Sequence, residues 1–294
     1  MEKALMVVNS RSKSSHFSQR LYDVLKTLSK CNYETTTFFT KKKKDTYNII
    51  VEHGSKYDLI VVSGGDGSIF ETTNALAQLD NKPKVMYFPT GTVNDFGNSL
   101  GLGSSLKKQL SILKKGEVKY IDTGYVNGTY FNYVCAFGPF TSVSYKTSSK
   151  EKAKFGKLAY YRSAIVELPN VNKQYYLEIE MDDKKISGEF AGCLIVNSNS
   201  VAGFRNVLRD DCMDDGLFNL VLIKKASPIS FAKGIGHIIE GIAQEVDNDY
   251  FYVRKFKKIK ISSNRKIQWT LDGEKGPIGS IELEVLEKNL GILA

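Results

Sequence analysis

The sequence predicts two domains: an α/β domain with a mainly parallel sheet, then an antiparallel β-sandwich domain with a few helices. Three observations predict this. Strand and helix patterns alternate up to about residue 120. Beyond that point strand follows strand, and two of the early apolar runs end in polar, glycine-rich turns.

The alternating part begins with the apolar run at 5–8, followed by a helical pattern at 17–28, a strand at 35–40 and a helical pattern at 47–51. The runs Leu59-Ile60-Val61-Val62 and Val85-Met86-Tyr87-Phe88 are apolar throughout, as strands buried on both faces are. Helical patterns at 69–79 and 106–113 complete it. The second part opens with strands at 120–126 and 130–137 around Asn127-Gly128, a strong signal for a two-residue hairpin turn. Strands follow at 175–181, 186–197 and 217–223, the first two joined through Asp182-Asp183, and further strands at 250–262, 266–271 and 280–286. Helices are expected at 156–168, stopped by Pro169, and at 227–244, with Ser227 as cap and Pro228 in the first turn. The expected domains are therefore 1–123 and 124–286, with the apolar tail at 287–294 returning to the first.

The 294 residues are 42% hydrophobic and 25% charged, an ordinary globular composition with length for two cores. No stretch approaches the roughly 18 to 20 apolar residues of a membrane-spanning helix, and the N-terminus lacks a signal-peptide layout. A cytoplasmic location is expected. Cys31, Cys135, Cys193 and Cys212 show no C-x-x-C spacing, which argues against disulfides and zinc. His16, His53 and His237 have no paired spacing, and no G-x-S-x-G element is present. The net charge of +9 is spread out except for Lys41 to Lys44 and the run from Arg254 to Lys260. No nucleic-acid module accompanies it, so no nucleic-acid partner is expected. Those runs read as solvated faces or as an attraction to an anionic membrane surface, and Lys41 to Lys44 also as an attraction to nucleotide phosphate.

The chemistry concentrates at Gly64-Gly65-Asp66-Gly67-Ser68, between an apolar strand and a helix. Glycines there allow positive φ and let backbone N–H groups approach an anion at a helix N-terminus. Gly65, Gly67 and Ser68 are candidate phosphate contacts. Asp66 is read either as a cap of the following helix or as a ligand of Mg²⁺ beside a triphosphate. A second turn, Pro89-Thr90-Gly91-Thr92-Val93-Asn94-Asp95-Phe96, closes the next apolar strand. Loops at the carboxyl ends of strands in an open α/β sheet line one crevice, so both turns can meet one nucleotide. Thr92 is the candidate ligand and Asn94 the candidate helix cap. Far downstream, Asp272 and Glu274 flank Gly273; on a regular strand both would face one side and raise each other's pKa, as suits a base, while a solvated β-turn over 271–276 is the alternative.

These motifs resemble the diacylglycerol kinase catalytic family, closest to the bacterial soluble diacylglycerol kinases and related to the NAD and sphingosine kinases. Gly64 to Ser68 match its GGDG(T/S) signature and residues 89–96 its P-x-G-T-x-N-D-F element, which NAD kinases lack. Ile121-Asp122-Thr123-Gly124, Asp214-Asp215-Gly216-Leu217-Phe218 and Leu271-Asp272-Gly273-Glu274 follow in the family's order. Near the start the chain departs from the family's N-P-x-S-G, reading Asn9-Ser10-Arg11-Ser12-Lys13.

The resemblance implies a kinase that transfers the γ-phosphoryl of ATP to diacylglycerol with Mg²⁺, in a cleft between the domains and at the inner face of a membrane. It implies ATP contacts from Asn9, Ser10, Arg11, Ser12, Lys13, Thr40, Gly65, Asp66, Gly67, Ser68, Ile69, Phe70, Glu71, Thr92 and Asn94. Glu274 is implied as general base with Asp272 supporting it or the metal, and Asp122 and Lys157 as members of the surrounding network. A separate structural Mg²⁺ is implied at the Asp215 carboxylate and the carbonyls of Cys212 and Leu217. A homodimer is compatible with it.

Overall fold

A computed structural model gives the fold, and it describes residues 1–10, 17–103, 105–138, 173–198, 200–201, 204–205, 208, 213–224 and 246–294. The helices expected at 156–168 and 227–244, and His16 and His237, lie outside these residues. The chain divides into one unit of Met1–Ile121 with Lys288–Ala294 and a second of Asp122–Glu287.

In the first unit the order is β1 (Glu2–Asn9), α1 (Phe17–Lys30), β2 (Tyr33–Thr40), α2 (Asp45–His53), β3 (Leu59–Gly64), α3 (Asp66–Leu76), β4 (Lys84–Pro89), α4 (Asp95–Ser99) and α5 (Leu106–Lys115). The four strands are parallel in the order β2-β1-β3-β4. Ala4 to Val8, all of β3 and Val85 to Pro89 are buried, as a sheet covered by helices on both faces requires. The register places Val8 beside Ser63 and Gly64 beside Pro89, so the glycine turn after β3 and the turn after β4 leave the sheet at one level. Ile292 pairs in parallel with Val85, which adds the end of the chain to this sheet. Gly116 closes α5 in the left-handed region, donating to the Ile112 carbonyl, with Lys114 and Lys115 in the last turn.

The second unit is antiparallel. Its strands are β5 (Val118–Val126), which enters from the first unit, β6 (Thr129–Phe131), β7 (Val134–Phe137), β8 (Tyr175–Met181), β9 (Lys184–Val196), the short pair β10 (Ser200–Val201) and β11 (Phe204–Arg205), β12 (Phe218–Lys224), β13 (Phe251–Phe256), β14 (Lys258–Ser263), β15 (Gln268–Leu271), β16 (Glu274–Ile278) and β17 (Ile281–Leu293). Both residues of the Asn127-Gly128 turn have positive φ, as a type I′ hairpin demands. The first half of β9 pairs with β8 and its second half with β7 and β12. One long strand thus serves two groups of partners, and the core of the unit gathers Phe131, Phe218, Phe256 and Trp269, all fully buried.

Two expectations are corrected. The strand expected at 250–262 is two strands that change partner at Lys257, β13 pairing with β12 and β14 with β8 and β17. Asp182 holds that junction by accepting the backbone N–H of Lys257 and Lys258. The stretch after Leu271 is a β-hairpin return, with β16 as a strand in its own right. Among the described residues no helix is long and apolar enough to cross a membrane.

Candidate active site

The two glycine turns of the first unit touch backbone to backbone. A Cβ on Gly91 would stand 2.5 Å from Cα of Gly65 and 2.7 Å from Asn94 Oδ1, and a Cβ on Gly64 would stand 2.1 Å from Ser68 Oγ. This corrects the reason for the glycines: none of Gly64, Gly65, Gly67 and Gly91 has positive φ, and at Gly64 and Gly91 it is close approach that excludes a side chain. The Gly64 carbonyl ties the turns further, accepting from Thr90 N–H at 2.8 Å and from Tyr87 Oη at 3.2 Å. Burial, then the nearby carboxylates of Asp66 and Asp95, hold the Tyr87 phenol well above its ordinary pKa, so it stays a donor.

Asp66 opens α3, with Gly65 at the N-cap position and without a side-chain cap bond of its own. Its carboxylate reaches across to the other turn instead: Oδ2 accepts Asp95 N–H and Oδ1 accepts Phe96 N–H, both at 3.2 Å. Asp66 therefore caps a helix, but α4 rather than the α3 it begins. Burial raises its pKa while those N–H groups pull the other way. Asn94, expected as that helix's cap, stands at the N-cap position in the left-handed region but does not cap. Its amide folds back on Gly91, accepting from the N–H and donating to the carbonyl, each at 2.9 Å. That leaves the N–H groups of α4 to Asp66, and Thr92 is exposed at the rim of the turn.

Other expected contacts of the first unit divide by burial. Asn9 donates to Ser68 Oγ at 3.4 Å, and Ser10 Oγ donates to the Thr40 carbonyl. Ser68 and Thr40 are nearly buried, and Ile69 is wholly buried in the core. Phe70 is half-buried. Glu71 accepts the backbone N–H of Lys44 at 2.9 Å and of Tyr47 at 3.4 Å, so it holds the N-terminus of α2. Asp45 accepts the N–H groups of Lys41 and Lys42, which draw its pKa down and give the lysine run a fixed turn. Arg11, Ser12 and Lys13 lie outside the described residues.

In the second unit Asp272 and Gly273 form a two-residue hairpin turn, both at positive φ, between β15 and β16. The expectation that Asp272 and Glu274 share a strand face is corrected accordingly, because a turn residue and the first residue of the return strand are not two apart on one strand. Asp272 is only 3% exposed. Its Oδ2 accepts Asn132 N–H at 2.6 Å and Asn132 Nδ2 at 2.9 Å; its Oδ1 accepts Tyr133 N–H at 3.0 Å and Val134 N–H at 3.1 Å. Its own N–H donates to the Val134 carbonyl at 2.8 Å. Burial pushes its pKa up to about 7 against those four donors. Glu274, opposite Leu271 on the return strand, is half-exposed.

A buried polar chain runs on from this turn. Asn197 Nδ2 donates to the Asn132 carbonyl at 3.3 Å and to the Asp122 carbonyl at 3.0 Å, and Asp122 Oδ2 accepts Gly216 N–H at 2.7 Å. Asp122, Asn132 and Asn197 are all fully buried. Asp122 thereby fixes the loop that carries Asp215. The Asp215 carboxylate accepts Leu217 N–H at 3.1 Å and meets Lys255 Nζ at 2.5 Å. The Lys255 ammonium thus faces its negative charge. Among the described residues no group of three metal-ligating side chains is present. Cys212 and Lys157 lie outside the described residues.

Comparison with known proteins follows the same division. Residues 3–126 match the model of the diacylglycerol kinase catalytic domain, and residues 140–294 that of the YegS C-terminal NAD kinase beta sandwich-like domain. A protein of Bacillus subtilis (strain 168) named diacylglycerol kinase is 34% identical over 94% of this chain and 91% of its own length. The chain belongs to the diacylglycerol kinase family. A Staphylococcus epidermidis protein of the same name is 35% identical over 96% of this chain and 90% of its own. In fold, the chain is similar to the crystal structure of a diacylglycerol kinase from Bacillus anthracis str. Sterne, with a TM-score of 0.81 at 22% identity, covering 99% of this chain and 96% of that one.

Membership in the diacylglycerol kinase family makes the chain a kinase with an α/β domain and a β-sandwich domain. Sequence reasoning missed Asn132, Asn197, Tyr87 and Lys255. Each is defined by a partner far away in sequence, and a single polar residue in an apolar run carries no periodic signal. The one available hint was Asp272-Gly273, the same kind of hairpin dipeptide as Asn127-Gly128.

Proposed function

We propose that the chain is a lipid kinase that transfers the γ-phosphoryl of ATP to the free hydroxyl of diacylglycerol, giving phosphatidic acid and ADP, at the cytoplasmic face of a membrane. The observation that supports this reading is the bond from Asp66 to the N–H groups of Asp95 and Phe96, which ties the family's two glycine motifs together. Phosphoryl transfer asks a protein mainly for positioning, charge neutralisation and a base. The first unit supplies the positioning. Thr92 and the N–H groups at the start of α3 face the nucleotide, and the close-packed glycines let its phosphates approach the backbone.

The Asp66 carboxylate, held on α4 by N–H groups and without a cation partner among the described residues, fits a hard cation bound with the nucleotide, directly or through water. Mg²⁺ bound there would neutralise the phosphate charge that develops during transfer. The acceptor hydroxyl oxygen attacks the γ-phosphorus, the bond to the β-bridging oxygen breaks, and the hydroxyl proton passes to a carboxylate. We assign that role to Glu274. Asp272 is buried, with each oxygen already accepting two N–H groups, which keeps it from a substrate hydroxyl and makes it the residue that shapes the turn beside the base.

The test is transfer of labelled phosphate from ATP to lipids in mixed micelles, with and without Mg²⁺. Label should enter diacylglycerol only with Mg²⁺ present, and Glu274→Gln should lose at least a hundredfold in rate, the usual size of a positioned base. Labelling of NAD or another soluble alcohol with no lipid labelled would overturn the reading, as would ATP binding without lipid-dependent turnover.

A further inference from the structure

β16 is the outer strand of its sheet, pairing only with β15 among the described residues. The hairpin has two different faces. One packs Ile267, Trp269 and Leu271 inward, all buried, with the indole N–H donating to the Gly279 carbonyl and the ring set edge-on to Phe137. The other presents Lys266, Gln268, Lys275 and Ile278 to solvent. Gln268 stands opposite Ile278 and Thr270 opposite Lys275; the irregularity between these pairs inserts an extra residue in β16 and so keeps Lys275 and Ile278 on one side. Arg265 extends the cationic end, and Ile278 is 65% exposed.

Among the described residues no carboxylate shares this face. Asp272 is buried and Glu274 stands opposite Leu271 on the other side. Arg265, Lys266 and Lys275 form no ion pair among the described residues, whereas the lysines of β14 are matched across the sheet, Lys258 to Glu284 and Lys260 to Glu282. Three unmatched cations around one exposed aliphatic side chain suit a surface that is negative outside and apolar just beneath. Strand addition by a second copy is disfavoured at this edge, since Pro277 lacks an N–H and Lys275 brings its charge.

We propose that this outer face of the β15–β16 hairpin, through Arg265, Lys266, Lys275 and Ile278, docks on an anionic lipid bilayer. The inference deepens the reading that the acceptor is a membrane lipid. The same hairpin carries Asp272 in its turn and Glu274 on its return strand, about 13 Å along β16 from Ile278. Docking by this face brings the hairpin that carries the proposed base to the membrane surface.

The test uses the full chain with phosphatidylcholine vesicles, with and without phosphatidylglycerol, and reads co-sedimentation. The wild type should bind only the anionic vesicles. Ile278→Glu and the double variant Lys266→Glu, Lys275→Glu should each bind at least about tenfold more weakly, at unchanged circular dichroism. Lys107→Glu, an exposed site on α5 in the other unit, should bind within about twofold of wild type. Wild-type-like binding by the hairpin variants overturns the proposal, as does an equal loss from Lys107→Glu or a failure of wild type to bind. A change from dimer to monomer in the hairpin variants, with vesicle binding kept, would assign the face to a second copy and also overturn it. Vesicle binding is read without ATP. Docking through this face with no lipid ever phosphorylated would therefore sink the acceptor assignment and leave the docking surface standing.

Discussion

Asp272 takes two hydrogen bonds from a single residue, accepting both the backbone N–H of Asn132 at 2.6 Å and its side-chain amide at 2.9 Å on one oxygen. With Tyr133 and Val134 the carboxylate has four donors and, among the described residues, no cation, and burial still lifts its pKa to about 7. The unfolded value lies near about 3.9. Between the two the native state binds more protons than the unfolded state, so the protonated form stabilises the fold at low pH and that contribution is lost as pH rises through about 7. Relative to Asp272→Asn, the wild type should lose about 1.4 kcal/mol per pH unit between about pH 4 and pH 7. Urea unfolding of both proteins across that range is the measurement, and a constant difference would show that the four donors outweigh burial.

Asn132→Ala removes the side-chain donor and leaves the backbone one. The ionised form of Asp272 loses support, so its pKa should move further up. If ionised Asp272 is needed to hold the turn during turnover, the acid limb of the rate profile should move to higher pH in this variant, with little change on the alkaline side. An unchanged limb would remove Asp272 from the pH dependence altogether.

Asn197 bridges the carbonyls of Asn132 and Asp122 through one amide, while its own buried Oδ1 has no partner among the described residues. Asn197→Leu abandons two buried carbonyls and also discards the unmatched oxygen. The balance should be a loss of about 1 to 2 kcal/mol, seen as a lower urea midpoint at unchanged slope. Stability equal to wild type would mean that the bridge carries no net weight.

The parallel sheet was legible because β3 and β4 are apolar without interruption, and the turns after them because glycine clusters at strand ends have few alternatives. β16 was not. Glu274-Lys275-Gly276-Pro277-Ile278 has neither alternation nor an apolar run, since an outer strand with a bulge has only one neighbour and one packed face. Within the site, Asp66 stood out as a motif residue, yet its bonds to Asp95 and Phe96 depend on the β3–β4 register, which places Gly64 beside Pro89. Partners set by register are invisible to local pattern. The same limit hid Asn132, whose role depends on where a turn 140 residues later comes to rest.

Asp66→Asn keeps one oxygen to accept from α4 and loses the charge that favours a cation. Stability should fall by only about 1 kcal/mol, the scale of a weakened cap, whereas phosphoryl transfer should fall at least about a thousandfold. Thermal unfolding and transfer of labelled phosphate separate the two roles. A variant that retained most of its turnover would reduce Asp66 to the helix cap its hydrogen bonds describe.

Gly91 and Gly65 offer a graded test of the contact between the turns. A Cβ on Gly65 would meet Gly91 Cα at 3.2 Å, a distance that a shift of a few tenths of an ångström relieves, while a Cβ on Gly91 would meet Gly65 Cα at 2.5 Å and Asn94 Oδ1 at 2.7 Å. The second collision is with backbone, and with a side chain already fixed by two bonds to Gly91 itself. Gly91→Ala must therefore drive the turns apart, at a cost of about 1 to 3 kcal/mol, whereas Gly65→Ala should cost less than about 1. Separation of the turns also pulls Asp95 and Phe96 away from Asp66. Gly91→Ala should accordingly raise KM for ATP about tenfold or more, with Gly65→Ala within about threefold. If the two alanine variants rank the other way in both stability and KM, the phosphate surface does not depend on this contact.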